Sequence, residues 1–150
     1  MKSHSGFSLI ELLVVLAIIG ILGSIAFINY AEYLVRSRVA EAHSQLADLR
    51  VKMEQYYQDN RNYGSSATTC GLAMPATGTT VKYFTYTCNW GATATNQGFR
   101  ITAQSATGAG LGAAGDYTYT IDQDNAKATT KFNALTRTDV CWISTKGQSC

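Results

Sequence analysis

A carboxylate inside a long apolar run is costly to keep ionised unless a cation meets it at the same depth. Glu11 stands in such a run, FSLIELLVVLAIIGILGSIAFI, residues 7–28. No Lys or Arg occurs between residues 3 and 35, so within one chain the only cation for it would be a new α-amine, made by a cut just before Phe7. The plainer role is local: one turn into a helix, a negative charge complements the N-terminal dipole. Cys70, Cys88, Cys141 and Cys150 form the second reactive set. They are not arranged as CxxC pairs, which removes the usual structural zinc site, and in an oxidising compartment they pair as disulfides. Three pairings exist and sequence does not choose rigorously; the local solution, Cys70 with Cys88 and Cys141 with Cys150, is favoured, each loop contributing roughly 2–3 kcal/mol on the chain-entropy model. Gly110, Gly112 and Gly115 satisfy GxGxxG, but they lead into DYTYTID rather than into a helix whose N-terminus could face a phosphate, so they read as a loop. His43 has no Cys, Asp or second His at i+3 or i+4 to share a metal, and no His comes after it, so no His-containing triad can be built in the last 88 residues. Catalytic, metal and cofactor chemistry lack their usual materials, and neither enzyme activity nor a cofactor is expected.

The elements that would position these residues fall into three zones. Of 22 charged residues, only Lys2 and Glu11 lie in the first 28, ten lie between residues 29 and 62, and ten are scattered over the last 88. Residues 7–28 would make a helix ~33 Å long, enough to span a bilayer. The preceding MKSHSG carries one firm positive charge, which keeps the N-terminus cytoplasmic and sends the rest outside. The chain continues as AFINYAEYLVRSR without a small-residue cleavage site, so the run is retained rather than removed as a secretory signal. From residue 29 the periodicity sharpens: Val39, Ala42, Leu46, Leu49, Met53 and Tyr56 recur at alternating three- and four-residue spacing, one apolar face of a helix. Without Pro before residue 75 or Gly between residues 24 and 63, the spacing predicts a nearly continuous helix from about residue 7 to about 60, ended by DNRNYG. Period-two alternation then marks strands at residues 81–88, 99–105, 117–122 and 127–132, with a tight hairpin at Asp124–Asn125 and a Gly-rich loop over 107–115. The expected class is α+β: a helical spine with a four-stranded antiparallel sheet folded onto its distal half, since that stripe is the only long apolar surface available to cover the sheet.

At residues 1–35 the string GFSLIELLVVLAIIGIL closely resembles the cleavage and methylation signature of type IV pilins and of the pseudopilins of type II secretion. The resemblance implies cleavage between Gly6 and Phe7 by a prepilin peptidase, N-methylation of Phe7, and a role for Glu11 in meeting the Phe7 amine of a neighbouring subunit. It also implies the pilin fold, with residues 1–6 as leader, 7–28 as transmembrane and assembly helix, 29–62 as its amphipathic second half and 63–150 as a disulfide-braced head. Partners implied are other pilin subunits, the peptidase and the inner-membrane assembly machinery. The subunit would sit in the inner membrane before assembly and in a surface filament after it. One departure is Ile28, where many pilins carry a helix-bending Pro; any bend here has to rely on Gly20 and Gly23. The segment CWISTKGQSC resembles the C-terminal disulfide loop of many type IV pilins.

Two alternatives to a structural pilus subunit remain. A type II secretion pseudopilin would share the first 35 residues, but heads in that family commonly lack disulfides. A minor pilin whose head binds DNA or a surface would need several of Lys82, Arg100, Lys127, Lys131, Arg137 and Lys146 on one face beside aromatics such as Tyr117, Tyr119 or Trp142. Alternation puts Lys127 and Lys131 on the same side of their strand. A net charge of +2 without a like-charge run gives no reason for strong sequence-independent nucleic-acid binding.

Overall fold

A computed structural model describes residues 7–150, apart from the side chains of residues 25–29. The leader assigned to residues 1–6, Gly6 included, lies outside the described residues. The chain divides into two compact units, Met1–Leu34 and Val35–Cys150, and helix α1, Leu9–Asn60, contributes to both.

In the first unit the Ser8 carbonyl accepts the amides of Glu11 and Leu12, which starts the helix and sets Glu11 in its first turn. All described side chains from Phe7 to Ser24 are exposed, the large apolar ones by between 46% at Val15 and 82% at Phe7. Among the described residues no helix is long and apolar enough to cross a membrane. The described apolar stretch, residues 9–24, is ~24 Å long as a helix, short of the ~30 Å hydrocarbon layer. The span expected over 7–28 therefore depends on residues whose side chains are not described.

In the second unit the helix ends where Arg61 takes a positive φ of 58° while its amide still bonds to the Tyr57 carbonyl. The predicted stripe is the core face: Val39, Ala42, Leu46, Leu49 and Met53 are buried, and Tyr56 is half-buried at its end. Five antiparallel strands complete the unit in sequential order: β1 Phe84–Asn89, β2 Arg100–Ser105, β3 Thr118–Asp122, β4 Lys127–Phe132 and β5 Leu135–Asp139. The sheet thus has one strand more than the four expected. Asn133 and Ala134, both at positive φ, turn the chain between Phe132 and Leu135, which pair across the hairpin. No Gly marks that turn, and LTRTD carries one large apolar side chain, so the sequence signal for β5 is weak.

Strand β1 starts at Phe84 rather than at residue 81, because the Lys82 and Tyr83 amides bond to the Glu41 carboxylate at 2.9 and 2.8 Å and Val81 bridges to Thr77 instead. The core-facing side of the sheet is built from Phe84, Tyr86, Ile101, Ala103, Tyr119 and Ile121, all buried among the same residues as the helix stripe. At the β3–β4 hairpin one Asp122 carboxylate oxygen accepts the amides of Asp124 and Ala126, which leaves Asn125 the positive φ such a turn requires.

Candidate functional site

The disulfides are Cys70–Cys88, which joins the loop after α1 to β1, and Cys141–Cys150, which closes the C-terminal segment. That segment does not hang free. Thr129, a fully buried hydroxyl on β4, donates to the Cys141 carbonyl at 2.7 Å and accepts from the Ile143 amide at 3.1 Å, while Tyr119 donates its hydroxyl to the Ile143 carbonyl at 3.1 Å. These bonds carry Trp142 to the helix, where its ring stacks on His43 with centroids 5.2 Å apart and planes 13° from parallel. Tyr119 meets His43 edge-on at 4.7 Å, and the Trp142 Nε1 donates to the Thr120 carbonyl at 2.9 Å. Lys127, exposed at the start of β4, holds its ammonium 4.8 Å from the Trp142 ring centroid. Burial, with Lys127 adding to it, pushes the His43 imidazole down to about 4, so the ring is neutral at neutral pH. Its Nε2 is buried with no hydrogen-bond partner.

A second pairing of cations with an aromatic ring lies where β1 begins. The Arg38 guanidinium and the Lys82 ammonium sit 5.6 and 5.4 Å from the centroid of the Tyr83 ring. Arg38 also donates to the Gly110 carbonyl, pinning the Gly-rich loop to the helix. That is what Gly110 and its neighbours do here: the stretch runs into β3, and the GxGxxG pattern opens no helix.

The remaining head cations are dispersed. Arg137 forms a two-toothed pair with Asp139, at 2.6 and 3.3 Å, and donates to the Gln148 carbonyl. The hydrogen bond to Arg137 holds the Asp139 carboxyl below the usual carboxylate range. Arg100 lies opposite Asp122 in the ladder, and Lys146 is exposed in the C-terminal loop.

The expectation that Lys127 and Lys131 share one side of β4 is overturned. The ladder slips between Thr129 and Lys131, so Lys127 pairs with Ile121, which faces the core, while Lys131 pairs with Thr118, the β3 neighbour of the core-facing Tyr119. One extra residue in a β-bulge exchanges the faces of everything beyond it. Of the three aromatics considered for nucleic-acid contact, Tyr117 and Tyr119 are buried and spoken for, and Trp142 is the one left partly accessible. The part played by His43 was not readable from its spacing, because the ring it supports is about a hundred residues away in the chain.

Comparison with known proteins places these features. Residues 29–114, more than half of the chain, match the family model described as "Type IV minor pilin ComP, DNA uptake sequence receptor". Residues 1–27 match the prokaryotic N-terminal methylation motif. The chain is 42% identical over 71 residues to a protein of Dichelobacter nodosus named "Probable minor fimbrial protein", covering 47% of this chain and 45% of that one. It is 43% identical over 68 residues to a fimbrial protein of Pseudomonas aeruginosa, covering 45% and 44%. The match thus spans less than half the length of these curated relatives. Among solved structures, a type IV pilin from Shewanella oneidensis aligns with a TM-score of 0.45 and 16% identity, covering 62% of this chain and 89% of that one.

Proposed function

The chain belongs to the ComP family of type IV minor pilins, and from that premise we infer that it is a non-enzymatic pilus subunit whose folded head binds DNA. The filament half of this reading is carried by one observation: the described side chains of residues 7–24 are all exposed, and nearly all are apolar. Apolar surface on that scale needs lipid or a protein neighbour. In this reading the subunit waits in the inner membrane, loses residues 1–6 before Phe7, is N-methylated there, and is drawn into a filament by the assembly machinery. Glu11 then meets the Phe7 amine of the next subunit, and the helices exchange lipid for one another. The test is the intact mass and N-terminal sequence of protein recovered from sheared surface filaments. A first residue of methylated Phe7, with all four cysteines oxidised, is expected; a chain starting at Met1 would refute it.

The DNA half is favoured by the Lys127–Trp142 pair, a cation and an aromatic face brought together by β4 and the C-terminal loop. Such a pair suits a ligand that offers both phosphates and bases. Full-length chain in detergent micelles, titrated with fluorescent DNA, should bind at low salt and weaken as salt rises.

A further inference from the structure

We propose that Trp142 is a preset stacking platform for a nucleobase that lies outside a closed duplex stack, and that Lys127 is its cover, moving from the indole to a neighbouring phosphate when the base arrives. This rests on the DNA-binding reading above and says which part of the ligand the site takes. The indole is held by His43 stacked against it, by the Nε1 bond to the Thr120 carbonyl and by Lys127 over the ring. His43 is itself fixed edge-on by the buried Tyr119, and the residues on both sides of Trp142 are tied to Thr129 and Tyr119.

A ring locked this way cannot swing edge-on to wedge between base pairs; it offers a face. Of the two side chains set against the ring, His43 is half-buried and Lys127 is exposed, so Lys127 is the one able to leave. When it leaves, a cation on a flexible stem is released beside the incoming nucleotide, where a phosphate replaces the ring as its partner. A base inside a closed duplex already has both faces covered by its neighbours. The ligand is therefore a single strand, a frayed end or an opened step, and intact duplex is left with phosphate contacts alone. Stacking of this kind tolerates any base, because each has a π-face.

The experiment uses the full-length chain in micelles with two probes of equal charge: an oligothymidylate about twelve nucleotides long, within the range of single-strand site sizes, and its abasic counterpart. The base-bearing strand should bind between about fivefold and about 150-fold more tightly, the range for one base–aromatic stack. Trp142→Ala should erase that ratio while leaving the salt dependence of the abasic strand unchanged. Lys127→Ala, at an exposed position that does not threaten the fold, should keep the ratio while lowering the salt slope by about 0.7, one single-strand phosphate contact. His43→Ala should shrink the ratio with no change of slope, which marks it as a positioning residue. Equal affinity for the two probes, with a normal salt slope, would overturn the stacking platform and leave DNA binding standing. So would a ratio that collapses in Lys127→Ala. No binding of either probe at low salt would remove the DNA reading itself, and this inference with it.

Discussion

Acid should loosen the head at His43 before it does so through any other imidazole, since His43 is the one histidine among the described residues. In the folded state burial, then Lys127, hold its pKa at about 4, against 6.5 for the free side chain. Between those values the unfolded chain binds a proton that the folded chain refuses. Stability from this group is thus complete above about pH 6.5, declines as pH falls toward 4 and is constant below it. The full linkage is about 3 kcal/mol; with part of the ring exposed, solvent screening brings the expectation nearer 2 kcal/mol.

Carboxylates titrate in the same window, so the informative quantity is a difference. Urea unfolding of the disulfide-intact full chain in micelles would be compared with His43→Phe, which keeps an aromatic ring under Trp142 and cannot be protonated. Going from pH 7 to 4.5, which spans roughly 70% of that linkage, the wild type should lose about 1.5 kcal/mol more than the variant, a shift of somewhat under ~1 M in relative urea midpoint for an ordinary slope. A gap that stays constant over that range, or an imidazole that titrates near 6.5 by NMR, would show that His43 is not held neutral by its surroundings.

Substitutions at two further places test how the site is supported. Glu41→Ala leaves the Lys82 and Tyr83 amides without their acceptor and should cost about 2–4 kcal/mol in thermal or urea unfolding, whereas Glu41→Gln, which retains one acceptor oxygen, should cost about half as much. Replacing Cys141 and Cys150 together by Ser should cost about 2–3 kcal/mol and speed hydrogen exchange over residues 144–150, while Ile143, anchored through Thr129, should stay protected.

Much of the fold was legible because local chemistry and tertiary packing point the same way. The stripe from Val39 to Met53 is read from 3.6-residue spacing alone, since only one face of that helix can be buried, and β4 begins and ends where alternation put it. The misses have two causes: a tertiary partner overriding the local pattern, and turns or bulges without a residue signature, as at β5. Glu41 reaches across 41 and 42 residues to take the Lys82 and Tyr83 amides, and so delays the start of β1. The β-bulge after Thr129 has no residue signature, yet it decides which lysine faces Trp142. Cleavage before Phe7 and the partner of Glu11 rest on the N-terminal signature, because they concern residues 1–6 and a second subunit.

The two kinds of cation in the head do different work, and this bears on what a receptor built from it can do. Arg38 and Arg50 donate to the Gly110 and Gln123 carbonyls, 72 and 73 residues on, and Arg137 to the Gln148 carbonyl 11 residues on, so their planar, multi-donor groups knit the loops to the helix or to the last strand. Lys82 and Lys127 lie over aromatic rings, contacts that a flexible ammonium can exchange for another partner, whereas Arg38, also over Tyr83, is pinned by its bond to Gly110. Lys131, beyond the bulge of β4, and Lys146, in the C-terminal loop, are exposed elsewhere. Charges spread in this way let a nucleic acid meet only a few at once. With about three phosphates engaged, the salt slope for a single strand would be only about −2, and electrostatics alone would give weak, unselective binding. A preference for strands with accessible bases over closed duplex then has to come from a fixed, uncharged contact, and the ring held between β4 and the helix offers one.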